Sequence, residues 1–281
     1  MQEKTLHLCG LWRFANAYLK YVTWRIIMFA QERLDKIYQR ICQDGKVFVK
    51  KLSEDYKVSE DAIRKDLKVL EKQGVIQRTY GGAILKKQLV SFSTVNDRKD
   101  PAVRPVKKII AQKAFDALKK NETIILDIST TNMVLAELIR DSGLELTVIS
   151  NSVDILYILS KSKSVTLISP GGMFFPDAGG FVGSETIDSI KKYNVQKVFI
   201  GSCGIDLETG SLTTFNVEDG NTKRAFINAA REVFLVMENK KFFHEGIYKF
   251  AELSQIDTVI TEDLPSKTIQ NRLKKSKIKI L

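Results

Sequence analysis

The sequence predicts an α+β chain of two domains, a small helical module ending in a β-wing and a larger α/β module. Three observations predict it. Between Leu34 and Gly74 apolar residues recur at helical spacing. A basic stretch with a Gly81-Gly82 turn follows. From Lys108 onward, short and nearly continuous apolar runs alternate with helical patterns, as in a largely parallel sheet covered on both faces. Between the modules, "ILKKQLVSFSTVNDRKDPAVRPVKK" has little periodicity, two prolines and scattered charge, so residues 85–107 read as a linker. The segments are therefore an N-terminal extension (1–27), the helical module (28–84), the linker (85–107) and the α/β module (108–281).

In the first module, Leu34, Ile37 and Ile41 form one stripe of a helix that ends near Gly45. "VFVKKLSEDY" gives a short extended stretch leading into a second helix. Ser59 suits an N-cap, because its hydroxyl can accept an orphan backbone N–H of the third helix. Ile63, Leu67 and Leu70 make that helix's buried stripe, and Gly74 ends it. Arg64, Lys65 and Lys68 then lie off the stripe. Two helices joined by a tight turn, with cations on the second, read as helix-turn-helix, and Val75 to Arg78 with the double glycine as its wing. Arg64 is the candidate for a base or phosphate contact, since a guanidinium grips two acceptors at once. Lys65, Lys68 and Arg78 suit phosphates as point charges. The alternative is a solvated basic face on a small helical bundle.

Composition is consistent with a polyanion partner. The 281 residues suffice for a sizeable core, and the 44 Lys and Arg against 33 Asp and Glu give a formal charge of +11. Cys9, Cys42 and Cys203 are odd in number and far apart, which points to reduced thiols in a cytoplasmic setting. With His7 and His244 as the whole histidine complement, no metal site is expected. In the first thirty residues Arg13, Lys20 and Arg25 interrupt the apolar text, so neither a bilayer span nor a secretory signal fits. An amphipathic membrane-surface helix is one reading of that stretch. The preferred one is that Met28 is the physiological start and residues 1–27 are upstream sequence; a native N-terminal peptide from upstream of Met28 would refute it.

At the third helix and wing the chain resembles the DeoR family of bacterial transcriptional regulators. The residues that carry the likeness are Arg33, Ile37, Ile41 and Ser59, then "AIRKDL" at 62–67 and "LEKQGVIQRTYGGA" at 70–83. The resemblance implies that Ser59, Glu60, Asp61, Ala62, Arg64, Lys65, Lys68, Arg78 and Tyr80 face DNA. Ala62 stands where the family usually has threonine and Tyr80 where histidine is common, which bears on operator sequence. Family members usually begin a few residues before the equivalent of Arg33, in keeping with a start at Met28.

In the α/β module four segments fall at carboxyl ends of strands, where ligands of such sheets sit. "DISTTN" (127–132) brings hydroxyls and helix N–H groups together, a phosphate-like geometry, or else merely caps a helix. "SNS" (150–152) repeats that arrangement, "SPGGMFFPDAGGFVG" (169–183) is a long glycine-rich loop, and "ENKKF" (238–242) places Lys240 and Lys241 at a strand end. Taken singly, each has a plainer account as a cap, a surface turn or a solvated pair. The resemblance extends from about Gln31 to the C-terminus and implies an effector domain with a fold similar to ribose-5-phosphate isomerase. By that likeness Asp127, Ser129, Thr130, Thr131, Asn151, Gly171, Gly172, Glu218, Lys223 and Lys241 line a pocket for a phosphorylated sugar, with no cofactor. Ser129 replaces the family's usual glycine, and Glu238 and Lys240 depart from its Asp-x-Ser-Lys.

The expectation is a cytoplasmic DNA-binding regulator, a repressor of a sugar-metabolism operon controlled by a phosphorylated sugar, and not an enzyme. Its partners would be a double-stranded operator and a second copy of itself, as homodimer or homotetramer, with no membrane. The rival is a sugar-phosphate isomerase with a basic appendage, in which Asp127 acts as general acid or base and Lys241 holds the phosphate.

Overall fold

A computed structural model describes residues 30–86, 88–89 and 94–281; the extension 1–27 and its boundary at Met28 lie outside the described residues. The chain divides into two units after Lys86.

In the first unit α1 (Ala30–Asp44) turns Ile37 and Ile41 fully inward, and Gly45, at φ 74°, ends it. β1 (Lys46–Phe48) leads into α2 (Val49–Tyr56), closed by Lys57 in the left-handed conformation. α3 (Glu60–Lys72) begins at Ser59, whose Oγ accepts the Ala62 N–H at 3.2 Å. Its Ile63, Leu67 and Leu70 pack with Ile37, Ile41 and Leu52. Arg33 of α1 pairs with Asp66 of α3 at 2.6 Å, both side chains being nearly buried. The wing is β2 (Ile76–Thr79) and β3 (Gly82–Leu85), with β1 antiparallel to β3 on its other edge. The double glycine has a steric reason: Gly81 sits at φ +77°, and a Cβ on Gly82 would lie 2.1 Å from the Val47 carbonyl oxygen.

The second unit begins earlier than the sequence suggests. The stretch read as a linker contains β4 (Gln88–Leu89), two 3₁₀ turns (Asp97–Lys99 and Pro101–Val103) and the first turn of α4 (Arg104–Asp116). Pro101 and Pro105, which look like breakers, occupy first-turn positions where a missing N–H costs nothing. The helix expected at 108–119 therefore starts and stops a few residues early.

Seven parallel strands make the central sheet: β5 (Thr123–Leu126), β6 (Leu146–Ser150), β7 (Val165–Ile168), β10 (Val195–Ile200), β13 (Ala230–Val236), β16 (Thr258–Ile260) and β17 (Lys279–Ile280). Their order is β17-β16-β13-β10-β5-β6-β7. Side chains alternate between two cores, as the pleat requires. Ile124, Leu126, Phe199 and Phe234 pack with Ile110 of α4, Leu135 and Ile139 of α5 (Thr130–Ser142) and Ile155 of α6 (Val153–Leu159). Ile125, Val198, Ile200 and Leu235 pack with Ile190 of α7 (Ser184–Ile190), Phe226 of α8 (Val217–Ala229) and Leu273 of α9 (Lys267–Lys275). The glycine-rich stretch 169–183 is not the open loop expected. It folds into a hairpin of β8 (Met173–Phe175) and β9 (Gly180–Val182). β11 (Gly204–Asp206), β12 (Ser211–Thr214) and β15 (Tyr248–Glu252) form a separate antiparallel sheet, while β14 (His244–Glu245) pairs in parallel with β4. Among the described residues no helix is long and apolar enough to cross a membrane.

From β5 the chain proceeds outward through β6 and β7, then returns to the other side of β5 with β10 and continues to β17. The carboxyl ends of β5 and β10 thus flank a topological switch point, where sheets of this kind leave a crevice.

Candidate functional site

On the first unit, α3 presents Arg64, Lys65 and Lys68 outward. Arg64 is held by its own helix: Nη1 donates to Asp61 at 2.8 Å and Nη2 to Glu60 at 2.6 Å. The two carboxylates also sit favourably in the helix's first turn. Such exposed pairs are worth little and are readily exchanged for phosphate oxygens. On the wing Arg78 approaches Glu71 at 3.4 Å, and Tyr80 at the tip is wholly exposed. Ser59 is taken up by its capping bond and Ala62 is half-buried. Ser59, Glu60, Asp61, Ala62, Arg64, Lys65, Lys68, Arg78 and Tyr80 thus lie on one helix start, its outer flank and the wing.

On the second unit, a cavity of about 260 Å³ opens at the switch point. Ser129, Thr130 and Thr131 supply one wall after β5, and Gly201, Ser202 and Cys203 another after β10. Ser129 Oγ caps α5 by accepting the Asn132 N–H at 3.2 Å. A Cβ on Gly201 would meet the Ser129 Cβ at 2.4 Å, so the serine that replaces glycine in the loop is accommodated by a glycine opposite. Lys223 and Lys241 also line the cavity.

Asp127 lies beneath this floor and is fully occupied. Its carboxylate accepts from Ser129 N and Gly201 N, each at 2.9 Å, from Asn132 Nδ2 at 2.8 Å and from Lys223 Nζ. Lys223 also approaches Asp219 at 3.4 Å. Burial opposes its charge, but Asp127 and then Asp219 more than offset that, so its pKa is raised. The other expected pocket residues fall elsewhere. Glu218 is exposed; Asp219, the next residue, lines the cavity in its place and accepts the Thr214 hydroxyl at 2.6 Å. The Asn216 cap bonds both the Glu218 and Asp219 N–H groups, which fixes the phase of α8 with Asp219 inward. Asn151 is buried and donates to the Phe181 carbonyl at 2.7 Å. Gly171 accepts from Thr186 Oγ1 at 2.6 Å, and Gly172 adjoins it; both serve the hairpin rather than the cavity lining.

Several lining residues were not singled out in the sequence. Arg98 and Lys107 come from the stretch read as a linker, and His244 from β14. Arg98 lies over the Phe215 ring at 5.3 Å, its Nε donates to Thr94 O, and its buried Nη2 has no partner among the described residues. Lys107 donates to the Arg98 carbonyl at 2.6 Å and Lys241 to the Ser202 carbonyl at 2.7 Å. Lys240 pairs with Glu238 at 2.6 Å. Burial, reinforced by Lys241, Lys240 and Arg98, lowers the pKa of Lys107, with Glu238 opposing. Burial also lowers Lys241, helped by Arg98 and Lys240 against Glu238 and Cys203. His244 is lowered by burial and by Lys240 and Lys241. Crowded cations of this kind favour an anionic ligand.

The "DeoR-like helix-turn-helix domain" description matches residues 33–89, and the "DeoR C terminal sensor domain" description matches residues 104–263. The chain belongs to the DeoR family. It is similar to the HTH-type transcriptional repressor GlcR of Bacillus subtilis (strain 168), at 31% identity over 90% of this chain and 96% of that one. It is also similar to the glycerol-3-phosphate regulon repressor of Escherichia coli (strain K12), at 30% identity over 86% of this chain and 94% of the relative. The lactose phosphotransferase system repressor of Lactococcus lactis subsp. lactis shares 30% identity over 84% of this chain and 92% of its own. Among solved structures, ribose 5-phosphate isomerase A from Methanocaldococcus jannaschii overlaps 47% of this chain and 52% of its own at 15% identity, with a TM-score of 0.35.

Proposed function

We propose that this chain is a cytoplasmic transcriptional repressor of a sugar-metabolism operon. α3 enters the major groove of the operator, the wing rests on the backbone, and a phosphorylated sugar in the switch-point cavity sets the affinity. The observation that carries this is the outward row of Arg64, Lys65 and Lys68 on a capped helix of DeoR type. The relatives, named as repressors of glycerol-3-phosphate and lactose systems, support both the repression and the effector class. Dimers or tetramers would read paired half-sites about one helical turn, or a multiple of it, apart. The chain acts as a regulator rather than an isomerase, in line with Asp127: four donors already fill its carboxylate, which leaves a poor general base.

The test is a gel shift with DNA from upstream of the protein's own gene and its neighbours. Arg64→Ala should weaken binding about 10- to 100-fold. Lys65→Ala should weaken it less and lower the salt slope by about one counterion. Neither should change the melting temperature appreciably. Wild-type affinity in both variants would refute the assignment of α3.

A further inference from the structure

Arg98 and Lys107 reach the cavity from an unusual part of the chain. They belong to the stretch that leads from the wing into the sensor unit, and β4, in that same stretch, begins three residues after the wing's last strand ends at Leu85. β4 is pinned by backbone pairing of Gln88 and Leu89 with His244 and Glu245, three residues after Lys241. The cavity's charges are also segregated. Asp127 and Asp219 are bound to Lys223 on one side. Lys107, Lys240 and Lys241 gather around Glu238, and Arg98 is near enough to act on Lys107, Lys241 and Lys223 alike. Asp97 and Asp100 lie there as well, but both are exposed and engaged, with the Thr94 N–H and hydroxyl and with the Ala102 N–H. Arg98, Lys107 and Lys241 make no ion pair with a described carboxylate; what holds them is carbonyl oxygen and an aromatic face. Three sheltered cations held this way carry a desolvation cost that an anionic ligand offsets.

We infer that Arg98 and Lys107, with Lys241, form the seat for the effector's anionic group, so that the bound ligand grips the chain segment that leads to the DNA-binding unit. This rests on the effector reading above and adds to it both the residues that read the charge and the route by which occupancy is felt. The oxygens of a phosphate accept from the free Arg98 Nη2 and from the two ammonium groups, each of which has further protons to donate. Occupancy then ties residues 98 and 107 to the strand end at 241.

The experiment uses the full chain, inorganic phosphate and a panel of three- to six-carbon sugar phosphates, followed by thermal melting and titration calorimetry. Peptides covering residues 94–107 are followed by hydrogen exchange. Variants are Arg98→Gln, Arg98→Lys and Lys107→Met, with Lys107→Gln in reserve should the methionine variant not fold. The expected result is binding about tenfold or more weaker in the glutamine and methionine variants, partial rescue by lysine at 98, and slower exchange of 94–107 when wild type is saturated. Wild-type affinity in both charge-removing variants, or exchange unaffected by saturation, overturns the inference and leaves the effector reading standing. Failure of every probe to bind wild type overturns both.

Discussion

The two basic surfaces of this chain hold their cations in opposite ways. On α3, Arg64 is more than half exposed and already satisfied by Glu60 and Asp61, each within one turn of the same helix. In the sensor cavity Arg98, Lys107 and Lys241 are sheltered and lean on carbonyl oxygens, and burial, helped by their mutual repulsion, lowers the lysine pKa values. On the proposed function, the difference separates two tasks. A surface that must slide along a polyanion uses screened, exchangeable charges that are nearly neutral in the stability balance. A pocket that must report one small anion holds its charges where water does not mask them, so that a single ligand makes a large energetic difference.

That contrast makes the buried ion pairs the most sensitive places to disturb. Lys223→Met leaves the buried Asp127 carboxylate without its cation. It should cost about 3–5 kcal/mol and lower the melting temperature of the sensor unit on the order of 10 °C, read by calorimetry. Arg33→Ala uncovers Asp66 in the DNA-binding unit. Because that pair lies at the edge of solvent, the expected loss is smaller, about 2 kcal/mol in chemical denaturation. Ser59→Ala removes the cap of α3 and should cost about 1 kcal/mol, with operator binding weakened through fraying of the helix start.

The smallest effect expected concerns pH. The folded pKa of His244 is lowered from 6.5 by burial and by Lys240 and Lys241, with Glu238 opposing. In the window between that lowered value and 6.5 the unfolded chain holds more protons, so stability falls as the pH drops through it. His244→Gln should flatten this part of the stability curve. An anion beside His244 favours its charged form, so as the pH falls from about 8 to about 6 phosphate binding by wild type should gain relative to His244→Gln, the ligand's own protonation being common to both.

Much of the fold was legible because it rests on local rules. The stripe Ile37–Ile41, the Ser59 cap and the Gly81-Gly82 wing follow from helix period, capping chemistry and backbone sterics, and each appears where expected. The alternation of apolar strands with helices announced the parallel sheet, and the switch point follows from its strand order. The cavity was only half legible. Ser129, Thr130, Thr131 and Lys241 could be placed near strand ends and Lys223 by the family resemblance, but choosing between Glu218 and Asp219 requires the phase of α8. The signal was present in the four-residue spacing of Asp219 and Lys223, which stacks them on one helix face. Arg98 and Lys107 were hidden because 3₁₀ turns carry no hydrophobic period, and because Pro101 and Pro105 mark helix starts as readily as they mark a linker. Gly171 and Gly172 lead into the hairpin and sit against Thr186 of α7, so they fall outside the cavity lining.

Operator affinity of the full chain, measured with and without a sugar phosphate that raises its melting temperature, tests the central claim most directly. The account predicts a change in apparent Kd of about tenfold or more on adding the ligand, absent in Arg98→Gln, with all binding sharply reduced in Arg64→Ala. Equal affinity in the presence and absence of a ligand that demonstrably occupies the cavity would contradict it.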